Sequence, residues 1–229
     1  MRIDVITVQP AMLNGFLTES IVARAARKGI CEIRIVDLRD YGEGRWRKVD
    51  DKPYGGGPGM LMTCGPWFAA VEAQLPSRVI MTSPTGRRFV QGDAERLSRL
   101  DHLTFMCGHY EGFDARIETL ADESFSLGDF VMTGGELAAA AMVDSIVRLL
   151  PGALGGGIAA TSSESFAREG LLEGPQYTHP PEFRGLTVPE VLLSGDHARI
   201  EAWRKAEARK LTARRRPDLL ARSEGGEDA

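Results

Sequence analysis

Three short glycine turns carry the first chemical signal in this 229-residue chain: SPTG at Ser83 to Gly86, GHYEG at Gly108 to Gly112, and Gly134-Gly135 inside SLGDFVMTGGEL. Each comes after a segment that reads as a strand, and in parallel α/β sheets ligands collect at the carboxyl ends of strands. Glycine lets a backbone approach a ligand closely, so three such turns brought together describe a small-molecule pocket. Glu111, within the second turn, is either an ordinary solvated carboxylate or an anchor for a cationic ligand. Glu136 follows the third turn and opens a helix, where negative charge suits the N-terminal dipole.

A second signal is basic. From Arg199 to Arg216 the chain carries Arg199, Arg204, Lys205, Arg209, Lys210, Arg214, Arg215 and Arg216 against Glu201 and Glu207, although the whole chain has a formal charge of -4. A basic helix on an otherwise acidic protein suits a polyanion such as RNA, and a solvated helical face is the plainer alternative.

Other chemistries are excluded. Cys31, Cys64 and Cys107 lack CxxC spacing and are expected to be reduced core residues. His102, His109, His179 and His197 have no metal-ligand spacing, so no metal site is expected. The VQPAML after the first strand has no glycine to accept a pyrophosphate, which argues against a Rossmann dinucleotide site. No apolar run approaches about eighteen residues, and MRIDVITV is not a secretion signal, so the expectation is a soluble cytoplasmic protein with no membrane contact.

The elements that must position these residues follow from periodicity. Arg2–Val8 reads as a strand, Ala11–Lys28 as a helix with an apolar stripe, and Cys31–Leu38 as a second strand. Tyr41–Met62 is a long glycine-rich loop, expected to be functional because loops of that length are rare in compact domains. Helices over Trp67–Leu75 and Asp93–Leu100 alternate with strands over Arg78–Thr82 and His102–Cys107. A buried strand over Ser126–Met132 then precedes a helix running toward Pro151. The alternation predicts an α/β fold with a parallel sheet. Beyond Pro151, PGALGGGIAATSSES marks a linker, and the remainder is small and helical, with a helix over Asp196–Leu211 and a frayed acidic tail. The expected division is residues 1–155, a linker at 156–169 and a second domain at 170–229.

Longer motifs then become specific. DDKPYGGGPGMLM (50–62), CGHYEGFDAR (107–116), SLGDFVMTGGEL (126–137), DSIVRLLPG (144–152), GLLEGPQYTHP (170–180) and VPEVLLSGDHARIEAWR (188–204) together resemble the bacterial tRNA (guanine-N1)-methyltransferases, the TrmD family of the SPOUT superfamily. The resemblance spans nearly the whole chain. It implies a deep trefoil knot in the α/β domain and a small helical C-terminal domain that grips tRNA. It also implies a homodimer with a shared active site, and S-adenosylmethionine as methyl donor. Carried over by position, the donor contacts are Gly108, Leu127, Gly128, Asp129, Phe130, Val131 and Met132, bordered by Pro84, Glu111, Gly134 and Gly135. Tyr54 and Trp46 are candidates for base stacking or for packing within the loop. Magnesium as an assisting ion is left open.

The reaction implied is methylation of N1 of the guanosine immediately 3′ of the anticodon. That nitrogen must lose its proton while charge develops on O6, so a base and a cation are needed. Arg148 matches the family's charge-stabilising arginine. The family's linker aspartate, the proposed base, is replaced by Glu164 before Ser165 and Phe166. One extra residue before Gly170 makes Ser165 an alternative alignment, and Glu169 is a fallback carboxylate. His179 replaces the arginine usual in the YTRP motif. A second expectation is a protein of the same fold that binds RNA without transferring a methyl group.

Overall fold

The computed structural model describes residues 1–155, 161, 164–167 and 170–224. The chain forms two compact units, Met1–Gly157 and Ile158–Ala229.

The first unit is built on five parallel strands: β1 (Arg2–Thr7), β2 (Glu32–Asp37), and, beyond the minor antiparallel pair β3 (Asp50–Asp51) and β4 (Leu61–Met62), β5 (Arg78–Arg88), β6 (His102–Cys107) and β7 (Glu123–Ser126). Their order across the sheet is β2-β1-β6-β5-β7, with every pairing parallel. The expected parallel α/β fold is present. The alternation of side chains divides the core in two. Ile3, Val5, Ile80, Leu103, Phe105 and Phe125 face one cluster, and Ile6, Val79, Met81 and Met106 face the other. On the first side the sheet is covered by α2 (Ser20–Arg27), α4 (Gln91–Leu97) and α5 (Glu136–Val147), and on the second by α3 (Cys64–Glu72). Both faces are thus covered, as a parallel sheet requires. Cys31 and Cys107 are buried, Cys64 half-buried, and all three are free thiols.

Helix α5 is apolar enough to be held by burial. Ala138, Ala139, Met142, Val143, Ile146 and Val147 are at most 3% exposed, and each of its larger side chains contributes about 1.5–3 kcal/mol on removal from water. Substituting Val143 with aspartate would place an unpaired charge in this layer.

Two expected elements differ. The segment over Ala11–Lys28 is a 3-10 turn at Pro10–Leu13, then α1 (Asn14–Thr18), then α2, with a break where Ser20 takes a φ of 62°. The Thr18 hydroxyl donates to the Asn14 and Gly15 carbonyls at 3.0 and 3.3 Å, which turns the chain out of the helix; α1 half-buries Phe16 and Leu17, and α2 buries Val22, Ala23 and Ala25. The strand expected over Ser126–Met132 instead ends where it was expected to begin. β7 stops at Ser126 because its hydroxyl donates to the Gly128 carbonyl at 2.9 Å while the Gly128 amide donates back to Ser126 Oγ at 3.1 Å. The following residues are not buried: Phe130 is 57% and Val131 85% exposed.

The second unit begins with a tight segment in which the Phe166 amide donates to the Leu171 carbonyl at 2.7 Å. It contains a small hairpin, β8 (Glu182–Phe183) with β9 (Leu186–Thr187), then α6 (Glu190–Leu193), the 19-residue α7 (His197–Arg215) and α8 (Pro217–Glu224). Asp196 caps α7 by accepting from the Arg199 amide at 3.1 Å. Buried Thr212 ties the unit together, donating to the Ala208 carbonyl at 2.7 Å and accepting from the Leu172 amide at 3.0 Å.

Candidate active site

The site lies at the carboxyl ends of β5, β6 and β7, where the sequence places its three glycine turns. The first turn is an excursion in β5: Thr82 and Arg87 both pair with Phe125, so Ser83–Gly86 loops out between them. Gly86 passes directly against β7, where an added Cβ would lie 2.5 Å from the Phe125 nitrogen. From β7 the chain returns across the ends of β5 and β6 to the third turn. There the Gly135 amide donates to the Gly108 carbonyl at 2.8 Å, and His109 bridges Gly134. A Cβ on Gly135 would fall 2.0 Å from Thr82 Oγ1 and 3.0 Å from the Cys107 Cα, so only glycine lets this backbone slot between the strand ends.

These turns enclose a cavity of about 360 Å³. Ten of the eleven residues anticipated as donor contacts line it: Pro84, Gly108, Glu111, Leu127, Gly128, Phe130, Val131, Met132, Gly134 and Gly135. Asp129 does not; its side chain is 95% exposed and pairs with Arg88 at 3.1 Å. The wall also includes residues that the sequence did not single out. Glu118 comes from the 3-10 turn Ala115–Leu120, where no apolar period marks it, Tyr110 sits within the second turn and Phe113 directly follows it. Adding Glu118 to Glu111 gives the lining two carboxylates beside apolar Leu127, Phe130, Val131 and Met132. Such a cavity can receive a ligand that is apolar at one end and cationic at the other.

The long loop joins this site. The Glu111 amide donates to the Met60 carbonyl at 3.0 Å, the Met62 amide donates to the Gly112 carbonyl at 2.9 Å, and the Glu111 side chain lies against Gly59. Asp114, just beyond, accepts from the Arg116 amide and guanidinium at 2.7–3.0 Å, and this pairing holds its carboxyl well below the usual range. Trp46 and Tyr54 stand out from the loop at 83% and 102% exposure, so neither packs as a core residue, and the Arg45 guanidinium lies 5.1 Å from the centre of the Trp46 ring.

Below the cavity floor, Glu136 at the start of α5 is fully buried, and its Oε1 accepts from Thr7 Oγ1 at 2.6 Å. Burial, reinforced by this carboxylate, pushes the Cys107 thiol well up, so Cys107 is a packed residue and not a nucleophile.

Arg148 caps the other end of α5, its amide donating to the Asp144 carbonyl at 3.1 Å. It is not in the cavity wall. At about 1.5 Å per residue, the helix separates it from the Gly134-Gly135 turn by roughly 20 Å. Glu164 belongs to the second unit, where its carbonyl accepts from the Ala167 amide at 3.1 Å. Neighbouring Ser165 accepts from the Glu173 amide at 3.0 Å, which commits its oxygen to the fold. Glu169 lies outside the described residues. His179 precedes a cis peptide bond to Pro180 and is exposed.

All eight basic residues between Arg199 and Arg216 are exposed. Lys205, Lys210 and Arg216 pair with Glu201, Glu207 and Asp218. Tyr177 packs near Trp203 of α7, with ring centres 6.3 Å apart. Among the described residues, no three His, Cys, Asp or Glu side chains form a metal cage, and no helix is long and apolar enough to cross a membrane.

Comparison with known proteins matches these features to one family. The family described as tRNA (Guanine-1)-methyltransferase TrmD matches residues 1–222. A tRNA (guanine-N(1)-)-methyltransferase of Moorella thermoacetica is 52% identical, covering 97% of this chain and 91% of its own. One from Geobacter sulfurreducens is 52% identical, with 98% and 93% covered, and one from Geobacillus kaustophilus is 49% identical, with 96% and 91% covered. The chain therefore belongs to the tRNA (guanine-1)-methyltransferase family, TrmD.

Proposed function

We propose that this protein methylates N1 of the guanosine immediately 3′ of the anticodon in tRNA, with S-adenosylmethionine as donor, in the cytoplasm. The observation that carries the donor assignment is the cavity at the strand ends, whose apolar wall suits an adenine and whose Glu111 and Glu118 suit positive charge. When bound, the donor supplies an electrophilic sulfonium methyl group. The protein's part is to fix the donor in that cavity, hold the guanine beside it, remove the N1 proton and stabilise charge on O6.

Arg148 is the charge stabiliser in this reading and Glu164 the base. The separation of Arg148 from the cavity of its own chain supports a homodimer in which one subunit's Arg148 serves the partner's cavity. Phe130 and Val131 of the cavity wall, with Leu137, are exposed apolar surface that a second copy would cover. Glu164 is preferred over Ser165 because the serine oxygen already accepts from Glu173 and serine is a poor base. The second unit, with its exposed basic α7, is the tRNA-gripping part, and Trp46 and Tyr54 are the exposed aromatics available to stack on bases. The return of the chain between β5 and β6 supports a trefoil knot, a threading that ordinary connection rules disfavour.

The decisive experiment is transfer of labelled methyl from S-adenosylmethionine to unmodified tRNA bearing GG at the anticodon edge, with and without magnesium. Transfer to that guanosine is expected. Tight tRNA binding without transfer in either condition would leave an RNA-binding protein and overturn the enzyme.

A further inference from the structure

Of the five buried side-chain polar atoms that have no hydrogen-bond partner among the described residues, two converge on one point beside the cavity. Glu136 is 0% exposed; its Oε1 is taken by Thr7, but Oε2 has no partner. His109 lines the cavity, yet its Nδ1 is shielded and also has none. A Cβ placed on Gly134 would lie 2.3 Å from Glu136 Oε2 and 2.7 Å from His109 Nδ1, so both atoms face the space that this glycine keeps clear. A bare carboxylate oxygen out of water is costly, and an N–H donor is the group that relieves it.

We propose that Glu136 is a positioning residue that fixes His109 as the Nδ1–H tautomer, the Nδ1–H closing on the neighbouring Oε2 with which it makes no hydrogen bond in this structure, and leaving Nε2 as a hydrogen-bond acceptor toward the cavity. The surroundings hold both partners in place. The His109 amide donates to Met62 Sδ at 3.3 Å, Tyr110 packs edge-on against the ring with centres 4.8 Å apart, and Thr7 clamps the far oxygen of the carboxylate. A carboxylate behind an imidazole commonly sets which nitrogen carries the proton. The chemistry that Nε2 then recognises is an amino group of the ligand, and this part rests on the donor reading of the cavity given above. Arginine or lysine at position 109 would present only donors there and would have to bind differently.

The test is ¹⁵N spectroscopy of the full-length protein labelled at histidine. The chain has four histidines, and His109→Asn assigns the resonance. The native ring is expected to carry its proton on Nδ1, and Glu136→Gln, whose amide can donate to Nδ1, to move it to Nε2. Binding of S-adenosylhomocysteine should weaken about fivefold to tenfold in Glu136→Gln, as for loss of one hydrogen bond. His109→Gln, which can place an amide oxygen near the Nε2 position, should bind better than His109→Ala. Adenosine as a second probe shares the loss if the recognised amine is on the adenine and escapes it if the amine is the ammonium. A native ring protonated on Nε2 or on both nitrogens overturns the proposal, whether or not the variants fold. So does an unchanged tautomer in Glu136→Gln, or a changed tautomer with unchanged affinity for both probes. Failure of the native protein to bind S-adenosylhomocysteine would instead strike the donor assignment.

Discussion

The Gly135 amide donates to the Gly108 carbonyl at 2.8 Å, and this one contact stitches the chain leaving β7 onto the end of β6. Because a Cβ at Gly135 would fall 2.0 Å from Thr82 Oγ1, Gly135→Ala must push two strand ends apart. A loss of about 1–3 kcal/mol is expected in denaturant unfolding, with a larger relative loss in S-adenosylhomocysteine affinity by calorimetry. Native-like affinity would show that the slot is not what shapes the cavity.

The acid side of the stability curve should depend on Asp93. Burial disfavours its charge, but the Arg87 guanidinium, the Val90 amide and Arg96 outweigh it and hold the carboxyl below its usual value. A depressed folded value means stability that is complete above the unfolded pKa and is lost as pH falls through the folded one. Arg87 is half exposed, so Asp93→Asn should cost only about 1–2 kcal/mol near pH 7, and the difference from native should shrink as pH falls through and below the ordinary carboxylate range. Urea unfolding at a series of pH values measures this.

Mixing two inactive proteins tests where Arg148 acts. Arg148→Ala is expected to lower turnover by about 10²–10³. If Arg148 serves the partner's cavity, random exchange of subunits with a donor-pocket variant such as Gly135→Val should restore about a quarter of native activity. An Arg148 serving its own cavity restores none.

Glu164→Gln should reduce single-turnover methyl transfer by about 10²–10⁴ while leaving S-adenosylhomocysteine affinity within about twofold. Unchanged transfer would remove Glu164 as the base.

For α7, Arg204→Ala and Arg209→Ala should each weaken tRNA binding. If each residue meets a phosphate, the slope of log K against log salt should fall by about 1 per substitution, with donor affinity untouched. A helix face that merely solvates the protein would leave the slope unchanged.

The strands were legible because Val79, Ile80, Met81 and Phe105 carry an apolar run that only a covered parallel sheet explains. Ser126–Met132 carried the same aromatic and β-branched signature but not the structure, since composition does not register a serine hydroxyl closing on a glycine two residues on. The break at Ser20 was hidden for a similar reason: the apolar stripe continues through it although the helix does not. Within the site, glycine spacing marked the turns, whereas Glu118 has no periodic signal and the burial of Glu136 exists only once Thr7 is brought to it across 129 residues.

The early end of β7 has a wider consequence. Past Ser126 the ladder ends: the Gly128 amide and carbonyl close on Ser126 Oγ and the Phe130 amide on the Gly128 carbonyl, and in the donor reading proposed above the remaining amides and carbonyls between Leu127 and Met132 are left to the ligand. A wall of that kind is tolerant of mutation. In that reading, replacing Leu127 or Val131 with other apolar residues would change little of what the donor meets, and a competitor built on main-chain contacts would be hard to evade by single substitutions.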